Sequence, residues 1–365
     1  VVRELDQLDR SFIRTGRIAV MIDLISDTVT RPTPAMRRVM AEAEVGDEQL
    51  GEDPSVNRLQ EMVAELTGKE AALFLPSGTM CNLIGIKVHT QPGDRILIER
   101  TAHPVTSEAG GPALVCGVMT QLLDGVRGVF TAEQVEEAAD QGDGVHTPPT
   151  TLVCLENTHN RGGGKIWPLS TLEAVSATAH RLGLKVHMDG ARLLNAVVAT
   201  GIPAQVWCRT VDTVWIDLSK GLGCPVGAVL AGDRETIRRA RRYKQMFGGA
   251  MRQAGILAAA GIYALQHHVE RLAEDHANAR LLAEGLAETP GIGIDPAEVE
   301  TNIVFFDVRD TGMTAQEFTQ ALLSEGVRMG AMGRYRVRAV THLDVSRQDI
   351  ERAIAAVRRV VLAHR

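Results

Sequence analysis

Lys220 follows the β-branched and aromatic run "TVWIDLS" (213–219) and stands before Gly221 and Gly223. An ammonium is costly to bury, so a lysine at the end of a strand-like run is paired, exposed at the tip, or used chemically. The chemical use open to it is a Schiff base, with the glycines letting a planar group approach the backbone. Asp189 ends a second apolar run in "HMDGAR" (187–192), and Arg192 lies three residues on. A carboxylate there suits the ring nitrogen of pyridoxal 5'-phosphate, which must stay protonated to draw electrons from a substrate carbon. The arginine suits a substrate carboxylate gripped bidentately. Ser77, Gly78 and Thr79, in "LPSGTMCN", precede a helical run whose first N–H groups can hold a phosphate. His103, in "RTAHPVTSEAG", can stack on an aromatic ring or move a proton. Taken singly, each group also has a plain reading: a surface lysine, a structural ion pair, a capped helix start, a solvated loop histidine. In this order along one chain they point to a cofactor site.

Such groups need a scaffold, and the surrounding pattern supplies one. "VNRLQEMVAELTG" has apolar residues at helical spacing and a glycine stop. "RILIER", "TTLVCLEN", "KVHMDG", "TVWIDL" and "GAVLAG" read as strands, and "TAEQVEEAAD" and "LSTLEAVSATAHRLG" as helices. Strands alternating with helices predict an α/β fold with a mostly parallel sheet, whose functional groups gather at the strands' C-terminal ends. Glu156, Asp189 and Lys220 all fall at such ends. A long helical stretch is expected over about 254–288. A β-α-β-α pattern then follows, running from "TNIVFFDV" to the C-terminal helix. The expected division is an N-terminal extension over 1–20 with no catalytic role, a large cofactor-binding domain over 21–265 including an N-terminal arm, and a smaller C-terminal α/β domain over 266–365.

The 365 residues carry a net charge of −6, which argues against general affinity for nucleic acid or an anionic membrane surface. No uninterrupted apolar run approaches the roughly 18 residues of a membrane span. The first twenty residues lack the apolar core of a signal peptide. The five cysteines, Cys81, Cys116, Cys154, Cys208 and Cys224, show no C-x-x-C spacing, so the expectation is reduced thiols in the cytoplasm and no metal site. His267 and His268 read as surface residues, and the basic run "RRARRYK" (238–244) as a solvated helix face.

Ordered blocks across nearly the whole chain from Met21 resemble the L-threonine aldolase family, pyridoxal-phosphate enzymes of the aspartate-aminotransferase fold, type I. The blocks are "DLISDTVTRPTPAMR", "GEDPSVNRL", "GKEAALFLPSGTMCN", "AHPVTSEAGG", "LENTHN", "HMDGARLLNA", "LSKGLGCPVG", "GGAMRQAGILAAAGIYAL" and "VTHLDVS". The resemblance implies that Lys220 carries the cofactor, Asp189 pairs with its ring nitrogen and His103 stacks on the ring. It further implies that Gly78 and Thr79 hold the phosphate, aided by Arg252 from a neighbouring subunit. Ser26, Arg192 and Arg338 would hold the substrate carboxylate, and His146 would stand near the substrate hydroxyl. The implied assembly is a homodimer with shared sites, usually paired into a tetramer.

The resemblance implies cleavage of L-threonine, L-allo-threonine or a related β-hydroxy-α-amino acid to glycine and an aldehyde. The catalytic base is left open among His103, His146 and a bound water. Four departures from the family pattern stand out: Ile25 for an arginine, Leu50 for a tyrosine, Pro104 and Val105 for bulkier residues after His103, and Asp217 for an apolar or cysteine residue. They point to a roomier, less aromatic substrate pocket and leave Asp217 in need of a partner. The alternatives weighed are β-elimination or transaldol transfer on a related amino acid, and a non-catalytic binding protein of the same fold.

Overall fold

The computed structural model describes residues 21–139 and 145–364. The expected extension over 1–20 lies outside the described residues. Seven strands form the main sheet: β2 (Ala71–Leu75), β3 (Arg95–Glu99), β4 (Met119–Leu123), β5 (Thr150–Glu156), β6 (Lys185–Gly190), β7 (Thr213–Asp217) and β8 (Ala228–Gly232), in the order β2-β8-β7-β6-β5-β3-β4. The strands from β7 to β4 pair in parallel, while β8 runs against both neighbours, so the sheet is mostly parallel with one reversed strand. β3, β7 and β8 are buried along their whole length, as expected for strands covered by helices on both faces.

Local chemistry fixes where the flanking helices begin and end. The helix Pro54–Thr67 starts with proline in its first turn and Asp53 accepting a hydrogen bond from the Val56 N–H. It stops at Gly68, whose φ of 67° is open to glycine at little cost. Ser77 caps the helix Gly78–Lys87 by accepting from the Met80 N–H. Phe74, Phe130, Trp167 and Trp207 are fully buried against this sheet, each worth roughly 2–3 kcal/mol of burial.

A second hydrophobic core gathers on a three-stranded antiparallel sheet, in which β12 (Arg336–Val340) lies between β9 (Ile303–Asp307) and β11 (Gly330–Ala331). The helices Leu272–Ala287, Ala315–Ser324 and Arg347–Ala363 cover it. The last two open with capping boxes, Thr314 with Glu317 and Ser346 with Asp349. β1 (Ile22–Asp23) pairs in parallel with β10 (Val327–Arg328), so Ile22 and Leu24 at the start of the N-terminal arm pack into this second core.

Three local expectations are corrected. The helical stretch over 254–288 is two helices, Gly255–His267 and Leu272–Ala287. His268, between them, is buried and bonds through Nδ1 to the Leu222 carbonyl at 2.7 Å, because the turn tucks its ring beneath the lysine-bearing loop. The basic run is not simply a solvated face: Lys244 is buried and ion-paired with Glu48 at 2.7 Å. Arg239 donates to the Val88 carbonyl and Arg241 to the carbonyls of Glu48 and Gln49. All five cysteines are buried free thiols. No helix among the described residues is long and apolar enough to cross a membrane.

Candidate active site

Lys220 sits in the loop that turns the chain from β7 back into the reversed β8. The loop is tied at its neck by Leu218 N–H to Gly227 carbonyl and Cys224 N–H to Leu218 carbonyl, both 3.0 Å. Its apex is pinned through the Lys220 carbonyl, which accepts from Thr30 Oγ1 and the Gly223 N–H at 2.9 Å each. The side chain is thus held by its own backbone from both sides. Its Nζ lies 3.0 Å from Asp217 Oδ2 and 5.7 Å from the centroid of the Trp215 ring, with 15% of the side chain exposed.

Register aligns the second group. Glu156 pairs with Asp189, and Asp189 with Trp215, so the ends of β5, β6 and β7 lie abreast. Asp189 is 4% exposed and accepts from Asn82 Nδ2 at 2.8 Å and the Ala191 N–H at 3.0 Å. Burial and the neighbouring Glu156 charge push its pKa up to about 6, against the pull of Lys220 and His103. Asn82 reaches Asp189 because it lies on the sheet-facing side of the helix that Ser77 caps. The same amide donates to Glu108 Oε1 at 2.7 Å, and its carbonyl accepts from Trp215 Nε1 at 2.7 Å. Glu108 in turn meets His103 Nδ1 at 2.8 Å and raises the pKa of that imidazole. Glu156 accepts from the His103 N–H through one oxygen and from the Asn160 N–H through the other, both at 2.8 Å.

The third group is set between the two cores. Arg192 makes a paired contact with Asp27, Nε to Oδ2 at 2.7 Å and Nη2 to Oδ1 at 2.6 Å, and both side chains are buried. Burial alone would raise the Asp27 pKa, but the guanidinium outweighs it and holds the carboxyl well below the usual range. Arg338, on β12, donates to Asn160 Oδ1 at 3.0 Å and to the Ile25 carbonyl at 3.2 Å, while its buried Nε has no partner. Burial and the nearby Arg192 push its pKa down to about 10, which leaves it cationic at neutral pH. Ser26 accepts from the Thr28 N–H and so caps the short turn Asp27–Val29, next to the carbonyl that Arg338 bonds.

Lys220, Asp189 and His103 are therefore brought together, with Arg192, Arg338 and Ser26 beside them. Gly78 and Thr79 begin the helix that carries Asn82. A Cβ on Gly78 would stand 2.4 Å from the Trp215 ring, so only glycine fits that start. Two expected residues are not gathered within this chain. His146 is exposed and precedes the first residue of β5, at the opposite end of that strand from Glu156. Arg252 is largely exposed and paired with Asp47 at 2.7 Å. Leu50 is 70% exposed. Sequence reasoning missed Asn82, Glu108, Asp27 and Asn160 as parts of this group. A polar residue inside the apolar run "MCNLIGI" (80–86) was the available signal for Asn82.

The donor set fits pyridoxal phosphate. Asp189 is a buried carboxylate with neutral hydrogen-bond donors, and a protonated ring nitrogen would supply its cationic partner. Lys220 stands on a fixed loop, Gly78 and Thr79 offer the first N–H groups of a helix, and the Arg338 Nε is a buried donor awaiting an acceptor. Sheet order and site together define an α/β enzyme of the type I pyridoxal-phosphate fold. The solved threonine aldolase of Leishmania major has this fold, with a TM-score of 0.80 at 20% identity over 93% of this chain and 99% of that one. Residues 23–311 match the beta-eliminating lyase family model. The chain is 44% identical over 344 residues to the low specificity L-threonine aldolase of Escherichia coli (strain K12), covering 94% of this chain and 100% of that one. Against low-specificity L-threonine aldolase 1 of Arabidopsis thaliana the identity is 41% over 345 residues, with 93% and 96% covered. The chain belongs to the beta-eliminating lyase family and is a lyase.

Proposed function

We propose that this lyase uses pyridoxal phosphate to cleave L-threonine, L-allo-threonine or a related β-hydroxy-α-amino acid between Cα and Cβ, giving glycine and an aldehyde. The observation that carries the reading is the convergence of Lys220, Asp189 and His103 beside the unpartnered Arg338 Nε, in a chain 44% identical to a named threonine aldolase. When bound, the cofactor supplies an electron sink for the pair released as a bond to Cα breaks. Lys220 would attach it, Asp189 would pair with its ring nitrogen and favour its protonated form, and Gly78 and Thr79 would hold its phosphate.

Arg338, with Ser26 close by, would bind the substrate carboxylate and so set the orientation of the amino acid in the site. His103 carries a proton relay: Glu108 holds its Nδ1, leaving Nε2 to exchange a proton with the substrate hydroxyl. Arg192 contributes through Asp27, which it holds in place, rather than by direct grip. His146 and Arg252, exposed and apart from the gathered group in one chain, would act across an interface between copies. That accords with a homodimer sharing its sites, or a homotetramer of two such dimers, and light scattering of the purified protein tests it. The reading includes a cytoplasmic location, consistent with five free thiols. It also includes a division near residue 265 between the two hydrophobic cores.

β-Elimination is the second reading, favoured by the description of the family that the chain matches. Incubation with the cofactor and either threonine diastereomer separates the two. Acetaldehyde with equimolar glycine supports the aldolase, whereas ammonia with 2-oxobutyrate moves the assignment to elimination. The ratio of the two rates gives the diastereomer preference.

A further inference from the structure

Asp217 is a buried carboxylate and the last residue of β7. Its side chain is 5% exposed, so it needs partners. One oxygen, Oδ1, accepts from the Ser219 N–H at 2.8 Å and from the Ser219 hydroxyl at 2.9 Å, closing a tight turn. The other, Oδ2, stands 3.0 Å from Lys220 Nζ. Oδ2 also faces the start of the Gly78 helix: a Cβ on Gly78 would lie 3.4 Å from it. The carboxylate thus sits between the lysine nitrogen and the first turn of that helix.

We infer that Asp217 is a positioning residue for Lys220, an anion whose fixed Oδ2 aims the lysine nitrogen; the inference rests on Lys220 being the cofactor-bearing lysine. The turn through Ser219 fixes Oδ1, and the carboxylate plane then fixes Oδ2 relative to the lysine three residues on. An anion fixed beside a nitrogen bonded to the cofactor would favour that nitrogen's protonated form. Other charges act on the same pair. Asp27 and Asp189 both feel Lys220, and the Arg192 guanidinium, with the Cys81 and Cys224 thiols, feels Asp217. Asp217 is the one among these carboxylates in direct ion-pair contact with the lysine.

The test compares wild type, Asp217→Asn and Asp217→Glu, each loaded with pyridoxal phosphate. The readout is the pH midpoint at which the long-wavelength absorbance of the bound cofactor is lost. Asparagine keeps an oxygen for Ser219 and removes the charge, so the midpoint should fall by about one pH unit. Glutamate should restore most of the shift. A residue that only shapes the loop would leave the midpoint in place, and an unmoved midpoint in Asp217→Asn overturns the inference. Should that variant fail to fold, Asp217→Ser carries the same expectation. If wild type and variants alike take up no pyridoxal phosphate in a dialysis titration, the proposed function fails and the inference falls with it. Normal uptake with an unmoved midpoint removes the inference alone.

Discussion

Arg192, buried, and Arg338, half-buried, are two arginines that the sequence presents as equals, and the structure gives them opposite circumstances. Arg192, after β6 on the main sheet, spends its guanidinium on both oxygens of Asp27. Arg338, on β12 of the smaller sheet, bonds one amide oxygen and one carbonyl, and among the described residues it meets no carboxylate and leaves Nε unpartnered. A neutralised cation braces the site, and an unneutralised one is poised for an incoming anion. The difference separates support from recognition within one cluster of charges.

Substitutions at these charges and their neighbours would break or sharpen that contrast. The largest effect belongs to Arg192→Ala, which strands Asp27 as a buried unpaired charge and should cost about 3–5 kcal/mol of stability in a denaturant titration. Replacing both partners, Asp27→Asn with Arg192→Met, should recover most of that loss. The pair also carries an acid signature. The Asp27 carboxyl titrates below its ordinary value, so its contribution is complete above about pH 4 and drains away as pH falls further, a dependence that Asp27→Asn should lack.

Arg338→Ala comes next. Its stability should change by less than about 1 kcal/mol, while kcat/KM for the amino acid falls roughly 100-fold, mainly through KM. A stability loss as large as that of Arg192→Ala would erase the distinction. The smallest effect is that of Glu108→Gln, which should move the His103 titration to lower pH, seen by NMR, because the carboxylate that favours the imidazolium is gone.

Much of this arrangement was legible beforehand, for reasons that particular residues make plain. Alternating apolar runs gave away the α/β sheet and put Asp189 at a strand end, while Lys220, expected at such an end, stands three residues past β7 in the loop that follows it. The reversal of β8 was not legible, since "GAVLAG" reads as apolar in either direction. Partnerships across the chain were hidden as well. Asp27 and Arg192 are 165 residues apart, Asn160 and Arg338 178, and Glu48 and Lys244 196. No local pattern tells a lysine within "RRARRYK" that a carboxylate will meet it in the interior. His268 was misplaced for the same reason, as its acceptor belongs to the loop of Lys220 rather than to its own helix.

Trp215 has been described as a wall against Gly78 and a donor to Asn82, and its placement gives the molecule an internal lamp. Its indole is 2% exposed, immobilised by the 2.7 Å bond from Nε1, and centred 5.7 Å from Lys220 Nζ. Emission from that ring is shielded from solvent quenching and lies within contact range of any light-absorbing group that Lys220 carries. Loading of the site should therefore register as dimming of the protein's own fluorescence, without a label and without turnover.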